Sequence, residues 1–184
     1  MVSRVSFFFK SAVNILFIVV LFCPLAFAIQ SEQAIQSEIG QSGLSLPRFV
    51  SLKSDRVNVR VGPSQHQYAI AWSYRKQGLP VEIIQEYDNW RRIRDSDGDL
   101  GWVNQALLSG KRTVMITPWK KSKNPLQTMR GKPADNAEII AHIESGVLCK
   151  VRQCNGEWCE LETGRIHGWL KQDLLWGVYP GEKI

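Results

Sequence analysis

What the 184-residue chain lacks narrows its class first. Between residues 48 and 178 no stretch keeps a helical apolar period over three turns, so helices are not what builds this protein. Dense charge of one sign is missing as well: 23 Lys and Arg stand against 17 Asp and Glu, and the basic residues are dispersed. Nucleic-acid binders concentrate theirs in a stripe, so no nucleic-acid partner is expected. No Ser/His/Asp or Cys/His set stands outside the repeated segments described below, and those segments leave no domain's length for an enzyme. Metal ligands are equally sparse, because His142 and His167 do not stand at the spacing a zinc site uses. The reading is a protein without catalysis, cofactor or metal. Cysteine is scarce too, with four in the chain.

What is present begins with an address. Arg4 and Lys10 lead an apolar run from Ile15 to Phe22, Pro24 breaks it, and Ala26-Phe27-Ala28 supplies the small-x-small pattern of signal-peptide cleavage. Cleavage is expected after Ala28, making residues 1–28 a signal peptide and the destination periplasmic or secreted. Membrane contact is then expected only through this leader. Cys23 follows the bulky Phe22 and belongs to the discarded part rather than to a lipid anchor. The mature 156 residues keep 21 basic against 17 acidic residues, a net charge of +4. Residues 29–47 repeat AIQSE at 28–32 and 34–38, contain no aromatic, and read as a flexible linker.

From residue 48 on, the chain is written twice. GLPVEIIQEYDNWRRIR (78–94) matches GVLCKVRQCNGEWCELE (146–162), with Trp90 on Trp158 at an offset of 68. GWVNQALL (101–108) matches GWLKQDLL (168–175) at an offset of 67, and VNVRVGPS (57–64) has a weaker echo in QTMRGKPA (127–134). Three matched blocks in one order mark a tandem duplication of a domain-sized unit. The segments 48–110 and 111–178 are two modules, followed by a tail at 179–184.

Each unit is a succession of short strands. Val57, Val59 and Val61 alternate with polar residues, while Arg48–Leu52, Val81–Ile84 and Arg112–Ile116 are apolar or β-branched. DSDGD (95–99) and Asn155-Gly156 supply hairpin turns. NQALL and KQDLL are each one turn long, which suits a 3₁₀ turn. An all-β fold of small barrels or tight sandwiches follows.

The order VNVRxGPS, long loop, Gly with alternating apolars, NWxxI and GWVxxxxL resembles the bacterial SH3-like (SH3b) family, in the form with two tandem modules behind a signal peptide. The second copy has lost the VNVRxGP signature and reads Met129-Arg130-Gly131-Lys132-Pro133. The resemblance implies two small five-stranded β-barrels that recognise peptides or cell-wall material without catalysis. It does not carry over the proline-peptide groove of eukaryotic SH3 domains. The Tyr of that groove is replaced by Leu107 and Leu174, and its Pro by Asn104 and Lys171.

CNGEWC (154–159) admits two hairpin geometries. With Asn155 and Gly156 as a two-residue turn, Cys154 and Cys159 stand diagonally at about 7–8 Å. With a four-residue loop they face each other at about 4.5–5.5 Å, within disulfide reach. In an oxidising compartment the pair is expected to close as a staple. Cys149 matches Val81 and reads as a small buried hydrophobe, with bonding to an outside partner or exchange with Cys154 as the alternative.

A ligand surface is expected on the strand Trp90-Arg91-Arg92-Ile93-Arg94. Strict alternation puts Ile93 inward and Trp90, Arg92 and Arg94 outward, an aromatic plate beside two guanidinium groups. Tyr68, Trp72 and Tyr87 complete the candidate site from neighbouring loops. Such a surface suits a carboxylate-bearing peptide or sugar. Trp90 has the opposite reading as well, since its partner Trp158 marks a position that closes the barrel, and Trp102 and Trp169 read as structural. Tyr68 and Trp72 have no aromatic counterpart in the second copy, so the first copy is expected to bind and the second to support it. The expected function is an exported, monomeric module recognising peptidoglycan, by stem peptide or glycan. The alternative is an adaptor that captures peptide segments of an envelope protein or wall hydrolase.

Overall fold

The computed structural model describes residues 38–117 and 126–184. The expected signal peptide (1–28), Cys23, the start of the expected 29–47 linker and the WKKSK segment (119–123) lie outside the described residues.

The first module is built from β3 (Arg48–Leu52), β4 (Val57–Arg60), β5 (Ile70–Tyr74), β6 (Pro80–Tyr87), β7 (Trp90–Arg94), β8 (Leu100–Asn104) and β9 (Leu108–Ser109), preceded by a small hairpin of β1 (Glu38–Ile39) and β2 (Ser45–Leu46). The second uses β10 (Thr113–Ile116), β11 (Leu126–Arg130), β12 (Ile139–Glu144), β13 (Leu148–Cys154), β14 (Trp158–Thr163), β15 (Ile166–Lys171) and β16 (Leu175–Trp176). The sheet orders are β5-β4-β8-β7-β6-β3-β9 and β12-β11-β15-β14-β13-β10-β16, the same topology strand for strand. NQALL and KQDLL hold one 3₁₀ turn each, Gln105–Leu107 and Gln172–Leu174. Each sheet has seven strands where the resemblance implies five, because short closing strands such as β9 and β16 also form ladders.

Alternation explains the two cores. Val57, Val59, Val81, Ile83, Ile93 and Val103 fill the first, while Val114, Ile116, Met129, Leu161 and Leu170 fill the second. Val61, expected to continue the inward set, lies beyond β4 and is exposed. Gly101 and Gly168 show why the GW motif begins with glycine. A Cβ on Gly101 would stand 2.3 Å from Val59 Cγ1, and one on Gly168 would stand 2.8 Å from the Arg130 carbonyl oxygen.

Part of the expected flexible linker and the tail at 179–184 are ordered by contacts. Residues 38–46 form the β1–β2 hairpin, in which Ser42 donates to Glu86 from its backbone N–H and its hydroxyl, both at 2.7 Å. The tail at 179–184 runs as a strap. Ile184 exchanges backbone hydrogen bonds with Cys154, and Glu182 accepts from Arg112 at 2.7 and 3.0 Å.

The same strap joins the modules. Phe49 of β3 meets Trp176 edge-on at 5.0 Å and Tyr179 at 4.7 Å, with the Arg112 guanidinium 5.9 Å from its ring centre. Trp176 Nε1 donates to the Pro80 carbonyl at 3.1 Å. Tyr179 Oη donates at 2.9 Å to Glu82, a carboxylate buried in the first module that also accepts from Arg94 Nε at 2.7 Å.

The cysteine pair closes as a disulfide, with Cys154 and Cys159 directly opposite in the ladder at a Cα separation of 4.1 Å. A two-residue turn centred on Asn155 and Gly156 is therefore excluded. Asn155 instead accepts from the backbone N–H groups of Glu157 and Trp158 through Oδ1, and Gly156 takes the left-handed conformation. Closing so short a loop contributes about 2 kcal/mol. A Cys154→Ser/Cys159→Ser variant is expected to lose that much in urea unfolding under oxidising conditions, with parent and variant followed by tryptophan fluorescence.

Candidate functional site

The candidate surface is set by the hairpin between β6 and β7. Asp88 takes a left-handed φ of 46° in the tight turn, a conformation aspartate tolerates. Tyr87 then pairs with Trp90, and Glu86 with Arg91. Glu86 and Arg91 both point inward and are buried, so Trp90 and Arg92, on either side of Arg91, point outward.

Burying an ion pair needs many partners, and here they are present. Glu86 accepts from Ser42 twice, from Arg48 Nη2 at 2.6 Å, and lies 3.3 Å from Arg91 Nε. Arg91 further donates to the carbonyls of Asp88 and Trp90 at 2.8 and 2.9 Å and to the Gln105 side chain. Burial alone would raise the Glu86 pKa. The Ser42 and Arg48 hydrogen bonds and the Arg48 charge outweigh it and hold the carboxyl at about 2.

The offset of 68 that relates the copies places Glu86 on Cys154 and Arg91 on Cys159. An ion pair in the first module thus occupies the ladder position of the disulfide in the second.

The structure gathers some of the proposed site residues and separates others. Tyr87, Trp90 and Arg92 share the outer face of the sheet, with Tyr87 53% exposed and Trp90 and Arg92 half-buried. Arg92 stands between Gln85 and Trp102 across the strands, and no hydrogen bond or ion pair to another described residue engages its guanidinium. Tyr68 reaches the same side of the sheet through Arg60, which pairs with Trp102 and donates to the Tyr68 carbonyl at 2.6 Å.

Arg94 does not supply the second free guanidinium, because Glu82 engages it. Trp72 belongs to the core side. A bulge between Val59 and Arg60 leaves Ile70 opposite Arg60 but sets Trp72 opposite the buried Val59, where it packs edge-on to Tyr74. Trp102, assigned to structural duty alone, is half-buried on the Arg92 face, and Ile70 adds exposed apolar surface near it.

The second module carries a different surface at the same positions. Trp158 is buried beneath Lys171, whose ammonium lies 5.2 Å from the ring centre. The residue at the Lys171 position in the first copy is Asn104, too short to cover Trp90 in the same way. Arg92 and Arg94 become Glu160 and Glu162, which are engaged by Gln153 and by Lys150 and Arg152. Arg60 and Arg130 are alike in both copies, each holding a loop carbonyl, that of Tyr68 or Ala137.

Cys149 is buried opposite Val114, as Val81 is opposite Val50, and burial pushes its thiol up to about 11. Among the described residues no group of three or more His, Cys, Asp or Glu is placed to hold a metal ion.

This duplicated all-β unit, with a glycine-tryptophan strand leading into a 3₁₀ turn, is a tandem SH3-like architecture. The sequence profile described as "Bacterial SH3 domain" matches residues 53–110 and 123–177, and the chain belongs to that family. No curated protein matches the chain. Among solved structures it is similar to NlpC2 from Trichomonas vaginalis, at 11% identity and a TM-score of 0.32, over 71% of this chain and 48% of that one. NlpC1 from the same organism gives 11% and 0.32, over 77% and 49% of the two chains. An NlpC/P60 family protein from Bacillus cereus ATCC 10987 gives 8% and 0.31, over 69% and 55%. The chain spans about half the length of these structures.

Two outcomes follow from the site's supports. The folded pKa of Glu86 lies below the usual 4.5, so its contribution to stability is present above about pH 4.5 and is lost as the pH falls toward about 2. Glu86→Gln is expected to flatten the decline in melting temperature across that window. At pH 7 it is expected to cost about 3 kcal/mol or more, because Arg91 is left buried without its counter-charge. Thermal melts at half-unit pH steps would check both. Cys149 is expected to resist iodoacetamide at pH 8 in the native protein and to react once urea unfolds it, as mass spectrometry would show.

Proposed function

We propose that this protein is an exported, non-catalytic and monomeric binding module that recognises cell-wall peptidoglycan in the bacterial envelope. On this reading the first module (48–110) binds and the second (111–178) supports it. The observation that carries the proposal is the difference between the copies on one outer strip. The first presents Tyr87, a partly open Trp90 and an unengaged Arg92, whereas the second has a covered Trp158 and engaged glutamates. Trp90 and Tyr87 supply plates for sugar rings or peptide side chains, and Arg92 supplies a fork for a carboxylate of the stem peptide. Tyr68 borders the surface, while Arg94 and Trp72 act behind it.

The adaptor reading has one observation in its favour. β5 is the edge strand of the first sheet and carries exposed Ile70, an arrangement open to strand addition by a peptide from an envelope protein.

Co-sedimentation of the purified protein with sacculi, at low and high salt, tests the proposal. Trp90→Ala is expected to weaken pelleting by about 2 kcal/mol, roughly thirty-fold, with a melting temperature close to the parent's. Arg92→Ala is expected to cost about 1.5–3 kcal/mol through loss of a charge-assisted hydrogen bond. Absence of pelleting by the parent protein would overturn the wall reading and leave the adaptor. Unfolding of Trp90→Ala would instead make Trp90 a core residue.

A further inference from the structure

A second concave surface lies where the modules meet, and it shares no residue with the Tyr87–Trp90–Arg92 face. It is a groove of about 920 Å³, at the upper end of the range of ligand pockets. Half-buried Leu148 and Val151 of β13 line it with apolar surface, and Lys53, Lys111 and Lys150 bring three ammonium groups to it. All three lysines are exposed.

The walls are held in place before any ligand arrives. Ser51 Oγ bonds the Lys111 carbonyl at 2.6 Å, and Thr113 Oγ1 bonds the Gly78 carbonyl at 2.7 Å, which ties the inter-module connection to the first module. The Phe49–Trp176–Tyr179 contacts fix the second module against the same strands. Preorganised walls spare a ligand the cost of ordering them.

The charge of the groove is unbalanced. No carboxylate among the described residues pairs with Lys53 or Lys111. Lys150 has only Glu162, at 3.7 Å, and that carboxylate is shared with Arg152. Arg112, which also lines the groove, is matched by Glu182, but its Nε is a buried nitrogen with no hydrogen-bond partner.

We propose that this inter-module groove binds an extended peptide that alternates apolar side chains with carboxylates. An extended chain turns successive side chains to opposite sides, so one set meets Leu148 and Val151 while the other meets the lysines. Ammonium groups are compact charges on flexible stems and accept a carboxylate without fixing its plane, which suits a peptide more than one rigid anion. A phosphate polymer would satisfy the lysines but leave the apolar surface unused. Because the walls come from both modules, the ligand grips the protein across its duplication.

The test uses the whole protein and a fluorescein-labelled hexapeptide, (Glu-Leu)₃, followed by fluorescence anisotropy at low and moderate salt. Saturable binding is expected, at least ten-fold weaker for (Gln-Leu)₃ and at least ten-fold weaker for a Lys53→Glu/Lys111→Glu variant that melts like the parent. Trp90→Ala should bind the hexapeptide unchanged, which separates this groove from the proposed wall-binding face. Equal affinity in the charge-reversed variant, or no binding by the parent, would overturn the assignment. Tripolyphosphate binding more tightly than (Glu-Leu)₃ would overturn the peptide in favour of a simple polyanion site.

Discussion

The inward-facing pair at the closed end of each central hairpin is the constraint from which the outer surfaces follow. Two residues directly opposite in an antiparallel ladder share a face, and their neighbours must take the other. With Glu86 and Arg91 directed into the first module, Trp90 and Arg92 have only the outside left to them. The disulfide imposes the same geometry on Trp158 and Glu160. The two solutions differ in what they demand from the rest of the chain. A buried ion pair is costly unless its remaining hydrogen-bonding capacity is filled. That requirement accounts for Arg48, for the β1–β2 hairpin bringing Ser42, and for Gln105 in the 3₁₀ turn. The disulfide carries no charge and needs no such set, and its hairpin is flanked instead by the backbone of Ile184.

Duplication placed one scaffold twice in the chain, and beyond the inward-facing pair the chemical differences between the copies fall mainly on the outside. The cores align position by position, with Ile93 on Leu161, Val103 on Leu170 and Val81 on Cys149. The outer strip reverses its charge between the modules, from Arg92 and Arg94 to Glu160 and Glu162. One residue decides the fate of the shared tryptophan: Lys171 lies over Trp158, whereas Asn104 stands in its place beside Trp90.

Much of this was legible in the sequence because it is local. Repeats at offsets of 67 and 68, period-2 alternation and turn residues announced the two all-β modules, their 3₁₀ turns and the cysteine staple. What escaped depends on partners far along the chain. Arg94 looked free because its carboxylate, Glu82, lies twelve residues earlier, and Tyr179 joins them from 97 residues beyond Glu82. The hairpin at 38–46 looked flexible because its order comes from Glu86 rather than from its own composition. Trp72 was assigned to the ligand face as an aromatic of a neighbouring loop, whereas it stands in β5 opposite the buried Val59. One signal was available and unread, since the alignment that pairs Trp90 with Trp158 also sets Glu86 and Arg91 on the two cysteines.

That substitution of an ion pair for a covalent bond makes the two halves of one fold answer to different chemistry. The clamp in the first module is opened by protons, because its strength resides in an ionised carboxylate. The clamp in the second is opened by electrons, because its strength resides in a sulfur–sulfur bond. Acid leaves the sulfur–sulfur bond untouched and a reductant leaves the ion pair untouched, so neither insult opens both clamps.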